Sequence, residues 1–177
     1  MTILLLGGSK SGKSLLAQSL CRDLSNGCGM VYWATMEPMD DEDRDRIARH
    51  RAERAGWGFE TVECGHVLDR VALPPESTVL FDSATALLAN EMFGASHVCD
   101  DPAAANRATD ELLALSARVA NFVCIADDLG RDGAVYDAGT EAFRRGLALL
   151  CRRLAARFDS VREVVAGIPA ERKPSPC

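Results

Sequence analysis

Gly7, Gly12, Lys13 and Ser14 stand in the spacing G-x-x-x-x-G-K-S, within the stretch LLLGGSKSGKSLLAQ from Leu4 to Gln18. Residue types in that order suit a phosphate chain. Glycines let successive backbone N–H groups curl around the anion, and a helix starting directly after the loop aims its positive end at it. Lys13 then reaches the β- and γ-phosphates, and the Ser14 hydroxyl is placed to bind Mg2+. Arginine supplies most of the positive charge of this chain, yet Lys10 and Lys13 both lie in this loop. Gly7, Gly8, Ser9, Lys10, Ser11, Gly12, Lys13 and Ser14 are therefore predicted to form a nucleotide site, with Ser14 as a metal ligand.

A loop of this kind needs a second carboxylate near the metal. Asp82 closes the apolar run Val79–Phe81, where such a carboxylate belongs, and is expected to hold Mg2+ together with Ser14. Strand-end aspartates also cap helices, a role open to Asp82 or Ser83. Asp127 and Asp128 end another apolar run. At the carboxyl edge of a parallel sheet they would position a substrate hydroxyl or a metal; in a solvated loop they would do neither. Arg46, His50 and Arg54 recur every fourth residue in a charged segment whose large aliphatic side chain is Ile47 alone. On a helix they make one cationic stripe with an imidazole at its centre. That suits polyanion handling, with the histidine as base, hydrogen-bond donor or nucleophile on phosphorus; a merely solvated histidine fits the same spacing. Cys64 with His66, and His97 with Cys99, put zinc-type ligands in two close pairs. Such tight spacing is unusual for zinc, and ordinary loop residues are the simpler reading.

The elements that must carry these residues follow from hydrophobic period. Thr2–Leu6 is a continuous apolar run stopped by two glycines, as for a strand buried on both faces. Leu15, Leu16, Leu20 and Leu24 recur at helical spacing over Lys13–Leu24, closed by Ser25-Asn26-Gly27. Further strands are predicted at Met30–Thr35, at Val79–Phe81, in the NFVCIA run and at Val161–Ala166, with a weak one around Phe59–Val62. Helices are predicted over Asp40–Ala55, after Asp82, over Asp101–Arg118 and over Gly139–Arg157. The alternation argues for one α/β domain over residues 1–170, a mostly parallel central sheet flanked by helices, with ERKPSPC as a loose tail over 171–177.

Bulk composition narrows the function. The chain has 177 residues, 47% of them apolar, enough for one sizeable core. Its formal net charge of −6 argues against nucleic acid, as does the lack of interleaved aromatic and basic residues. Ile3–Leu6 is too short for a signal peptide, no run is long enough to span a bilayer, and the cysteines form no CxxC or disulfide framework. A cytoplasmic protein is expected.

GGSKSGKS, VYWATMEPMDDEDRDRIARHRAERAGW, VLFDSATALLANEMF and the late VVAGIP together resemble the adenosylcobinamide kinase / adenosylcobinamide-phosphate guanylyltransferase family of cobalamin biosynthesis, in the family's order and over nearly the whole chain. The most specific piece is D-x-E-x-x-x-R-I-x-x-H-x-x-x-R, here Asp40, Glu42, Arg46, Ile47, His50 and Arg54, followed by Trp57. The resemblance implies a bifunctional enzyme with a RecA-like P-loop fold that forms homotrimers. A nucleoside triphosphate, ATP or GTP, would first phosphorylate the aminopropanol hydroxyl of the corrinoid adenosylcobinamide. GTP would then pass GMP to that phosphate through a GMP carried on His50, releasing pyrophosphate and giving adenosylcobinamide-GDP. By the same resemblance Lys13, Asp82 and His50 are catalytic and Mg2+ sits at Ser14 and Asp82. Arg46, Arg54, Glu63 and Asp128 join the loop as nucleotide-binding residues.

The second half departs from the family pattern. Asp127-Asp128-Leu129-Gly130 stands where the family usually has Asn-Glu-Val-Gly. Asp128 keeps a carboxylate one methylene shorter, whereas Asp127 replaces an amide able to donate by an anion that cannot. RDGAVYD replaces a Gly-Ile-Val-Pro stretch, Phe143 and Arg144 match a Phe-Arg pair, and Leu149 and Cys151 stand where Arg and Asn are usual. These lost polar groups belong to the part expected to help recognise the acceptor. Two rival readings follow. One is a P-loop small-molecule kinase without nucleotidyl transfer, which leaves the His50 stripe unexplained; the other is a GTP-binding regulatory relative with little turnover.

Overall fold

The computed structural model describes residues 1–36, 56–94, 101–130 and 133–175. At its centre lies a seven-stranded sheet of β1 (Thr2–Gly7), β2 (Met30–Ala34), β3 (Phe59–Glu63), β4 (Thr78–Asp82), β5 (Asn121–Asp127), β6 (Ser160–Val165) and β7 (Ile168–Lys173). The order across the sheet is β3-β2-β4-β5-β1-β6-β7, parallel throughout except where β7 meets β6. The described helices are α1 (Lys13–Ser25), α2 (Ala84–Phe93), α3 (Asp101–Ser116) and α4 (Ala138–Arg157). The helix predicted over Asp40–Ala55 lies outside the described residues.

β1 shows why a strand in this position has to be apolar without interruption. Ile3 and Leu5 pack with Ala17 and Cys21 of α1, whereas Leu4 turns to the opposite layer with Trp33, Phe81 and Phe122. α2, α3 and α4 close that second layer through Leu87, Leu112 and Leu150. Each large side chain so buried contributes about 1.5–3 kcal/mol, and a one-residue slip would exchange the two faces. An aromatic row crosses the sheet within the second layer: Trp33–Phe81 at 6.1 Å, Phe81–Phe122 at 5.8 Å and Phe122–Phe158 at 5.9 Å between ring centroids.

Helix ends decide what is left for chemistry. α2 is capped by Ser83, whose hydroxyl accepts from the Ala86 N–H at 3.2 Å. The capping role therefore falls to Ser83 and not to Asp82. α4 is capped by Asp137, which accepts from the Gly139 and Thr140 N–H groups at 2.9 and 3.1 Å. Among the described residues α1 has no side-chain cap; Gly12, at φ 93°, stands at its N-terminus.

The C-terminal end corrects the sequence reading. Ala166-Gly167, with φ of 51° and 81°, turns the chain back so that β7 pairs antiparallel with β6. Glu171, Arg172 and Lys173 thus belong to a strand and not to the expected loose tail. Arg172 donates to the buried Glu163 carboxylate at 2.8 Å, and Lys173 Nζ donates to the Ala155 carbonyl at 3.2 Å. An edge strand exposed on both faces shows no alternation, and Pro169 on such an edge reads as a breaker.

Candidate active site

Strand register brings the carboxyl ends of β1 to β5 to one edge of the sheet. Gly7 lies opposite Asp127, and Ala34 lies between Glu63 and Asp82. The glycine loop leaves β1 here and feeds α1. Lys10 and Gly12 take positive φ, 57° and 93°, which curls the loop. Gly7 is required for packing, because a Cβ there would collide with the Val164 carbonyl. The turn between β6 and β7 also supports the loop: the Gly167 N–H donates to the Ser11 carbonyl at 2.8 Å. The Ser11 hydroxyl is buried and has no hydrogen-bond partner among the described residues, a donor suited to an anion in the curl of the loop.

Lys13 is nearly fully buried. Its ammonium donates to the Gly7 and Gly8 carbonyls at 2.9 and 2.7 Å and pairs with Asp127 Oδ1 at 2.9 Å. Asp127 is itself fixed, its N–H donating to the Thr85 hydroxyl at 2.8 Å. The sequence reading took Asp127 as a lost amide; the structure makes it the carboxylate of the loop lysine. The Asp128 N–H donates to the Gly7 carbonyl at 3.0 Å, and its Oδ1 accepts from the Gly130 N–H at 3.2 Å.

Asp82, half-buried, takes a short hydrogen bond from the Tyr32 hydroxyl on the neighbouring strand. Tyr32 was not singled out from the sequence. The signal was a tyrosine inside an apolar strand, whose hydroxyl must find a partner. Around it Thr35, fully buried, accepts from the Ser83 N–H at 2.8 Å, and Asn90 donates to the Thr35 carbonyl at 2.8 Å. The Asp82–Ser83 peptide is cis. Ser14 lies in the first turn of α1. A serine hydroxyl and a carboxylate are hard oxygen donors, the set Mg2+ takes while keeping water on its other positions.

Other predicted residues fall differently. Glu63 ends β3 and is exposed. Arg46, His50 and Arg54 lie outside the described residues. Trp57, just beyond them, sits beneath the Arg22 guanidinium at 4.7 Å from the ring centre, tying the returning chain to α1. The Cys64 thiol donates to the His66 carbonyl at 2.9 Å, and His66 Nδ1 is 3.9 Å from Glu91 Oε1. His97 and Cys99 lie outside the described residues. Leu149 packs against the core. Cys151 lines a cleft of about 180 Å3 beside Asp127 and Asp128. Its thiol is pushed up to about 12 by burial, with the charges of Asp128 and Asp127 adding to it.

Comparison with known proteins gives a family and a fold. The family model described as cobinamide kinase / cobinamide phosphate guanyltransferase matches residues 3–171. The bifunctional adenosylcobalamin biosynthesis protein CobU of Salmonella typhimurium is 33% identical over 181 residues, covering 95% of this chain and 97% of that protein. The bifunctional adenosylcobalamin biosynthesis protein CobP of Pseudomonas aeruginosa is 30% identical over 180 residues, covering 99% of each. Among solved structures, the flagellar accessory protein FlaH of Methanocaldococcus jannaschii is similar at a TM-score of 0.50 and 14% identity, over 98% of this chain and 78% of that one. That likeness is one of fold, a mostly parallel sheet flanked by helices, as the alternation of strands and helices predicts.

Proposed function

The chain belongs to the cobinamide kinase / cobinamide phosphate guanyltransferase family, and we propose that it performs both reactions that this description names. A nucleoside triphosphate phosphorylates the hydroxyl of adenosylcobinamide, and GTP then donates GMP to the resulting phosphate. The observation that carries the reading is the glycine loop, with Lys13 held by the Gly7 and Gly8 carbonyls at the sheet's carboxyl edge. Loop N–H groups and Lys13 bind the phosphate tail and bear its charge as the γ-phosphoryl moves to the acceptor. In the second reaction the His50 imidazole attacks the α-phosphorus of GTP and pyrophosphate leaves with the bonding pair. The acceptor phosphate then displaces the imidazole, so one difficult transfer becomes two easier ones. Arg46, Arg54, Glu63 and Asp128 complete the nucleotide surroundings on this reading. Mg2+ at Ser14 and Asp82 supplies charge neutralisation when bound.

On the same reading the enzyme is a cytoplasmic homotrimer acting on a corrinoid. Among the described residues no helix is long and apolar enough to cross a membrane. Intact-protein mass after incubation with GTP and Mg2+ tests the proposal. An acid-labile GMP adduct is expected on the wild type and none on His50→Ala. Tight GTP binding without an adduct would discard nucleotidyl transfer and leave the plain kinase.

A further inference from the structure

The lysine of the glycine loop carries a counter-charge that the loop does not supply. Gly7, at the end of β1, lies opposite Asp127, at the end of β5, and Lys13 reaches back from the first turn of α1 to both. The backbone around Asp127 is fixed. Its own N–H donates to the Thr85 hydroxyl at 2.8 Å, and the N–H of the next residue donates to the Gly7 carbonyl at 3.0 Å. These bonds hold the carboxylate at the root of the loop.

An ammonium donates through each of its protons and accepts nothing. Lys13 gives hydrogen bonds to the Gly7 and Gly8 carbonyls at 2.9 and 2.7 Å, and these two backbone acceptors already orient it. What Asp127 adds, with Oδ1 at 2.9 Å from the same nitrogen, is a negative charge. On an open surface such a pair would be screened by water and salt and would matter little. Here the Lys13 side chain is 7% exposed and that of Asp127 32%, so the charges act through a medium less polar than water. A phosphate chain drawn to this ammonium shares it with the carboxylate, and two anions on one cation repel each other.

Resting on the reading of the loop as a phosphate holder, we infer that Asp127 tunes phosphate affinity through Lys13: its charge weakens the loop's hold on a phosphate chain and so speeds the departure of charged products. The proposed function makes that useful twice. Phosphoryl transfer leaves a nucleoside diphosphate on the loop, and GMP transfer leaves pyrophosphate. Each must go before the next triphosphate enters. Binding that substrate and product share equally does nothing for the chemical step, so restraint at the lysine costs little and shortens the stay of the product. A residue that only positioned Lys13 would behave in the opposite way. Neutralising it would loosen the lysine and weaken phosphate binding, so the sign of the change separates the two roles.

The test measures equilibrium binding and dissociation of inorganic pyrophosphate with Mg2+ for wild type, Asp127→Asn, Asp127→Ser and Asp127→Glu. Thermal midpoint and the GMP adduct are read on each protein. Both neutral variants are expected to bind pyrophosphate about 10-fold tighter, with most of the change in the dissociation rate. Asp127→Glu, which keeps the charge, is expected to stay near the wild-type affinity. Two neutral variants guard against one of them failing to fold. Unchanged or weaker pyrophosphate binding in a folded neutral variant overturns the inference and leaves the proposed function standing. Equal tightening in Asp127→Glu overturns it too, because geometry and not charge would then set the affinity. Tightening in the neutral variants alone, on a chain that takes no GMP adduct, upholds the inference while nucleotidyl transfer falls. A folded wild type that binds no pyrophosphate overturns the phosphate reading of the loop and this inference with it.

Discussion

Asp82 and Asp127 end adjacent strands of the same sheet edge, and the protein treats them in opposite ways. Asp82 accepts a hydrogen bond from a neutral donor, the Tyr32 hydroxyl. Asp127 is bound by the Lys13 ammonium, and its charge is spent within the protein. The difference lies in the neighbours: β2 presents a phenol to Asp82, whereas the loop after β1 presents a lysine to Asp127. On the proposed function, one strand end would hold a metal and the other holds the lysine of the glycine loop. Two aspartates in similar sequence settings acquire different chemistry from the next strand over.

Removing the lysine breaks the comparison most severely. Lys13→Ala leaves Asp127 as a half-buried carboxylate without its cation and takes the charge away from the phosphate tail. Turnover with nucleoside triphosphate is expected to fall about 100- to 1000-fold, the scale for loss of one preorganised donor at developing charge. Initial rates at saturating acceptor check this, and a loss below about 10-fold would deny Lys13 its role. The next effect concerns Asp82. Tyr32→Phe keeps the ring and its edge contact with Phe59 at 6.2 Å but deletes the hydroxyl that orients the carboxylate. Groups that orient a metal ligand are worth about 10-fold or more in metal affinity, so the Mg2+ concentration for half-maximal rate should rise by about that factor. An unchanged Mg2+ curve would make Tyr32 a packing residue.

What could be read from the sequence was local. Glycine spacing, a lysine and a hydroxyl within one loop, an apolar run ending in Asp82: each is a signal contained in a few consecutive residues. What escaped was set by pairing across the sheet. Tyr32 and Asp82 are fifty positions apart in the chain, and only the register of β2 against β4 makes them partners. The ion pair of Lys13 with Asp127 depends likewise on β5 lying beside β1, an order that helix and strand periodicity does not specify. β7 was missed because its exposed residues carry no alternation. With it went the support that the Gly167 N–H gives to Ser11. Family resemblance supplied the role of His50, which no spacing argument could separate from a solvated histidine.

A third carboxylate, away from the site, shows what neutral hydrogen bonding does by itself. Asp159 lies before β6, and its Oδ2 accepts from the Thr2 N–H at 2.7 Å and the Thr2 hydroxyl at 3.0 Å. The Asp159 N–H donates back to the same hydroxyl at 2.9 Å, clasping the start of β1. The Thr2 N–H holds the carboxyl below its usual range, with a smaller opposing effect of burial and further help from the Thr2 hydroxyl, the N-terminal ammonium and Lys173. A depressed acid contributes stability that is present in full above its unfolded value of about 3.9 and is lost as pH falls through the folded one. Asp159→Asn should therefore cost about 1 kcal/mol near neutral pH, and this deficit should shrink below about pH 4, where the wild type loses its advantage. Urea midpoints at neutral and acid pH measure it. If the deficit is the same at both, the clasp works through hydrogen-bond geometry alone, and the charge that distinguishes Asp82 from a neutral acceptor contributes nothing at Asp159.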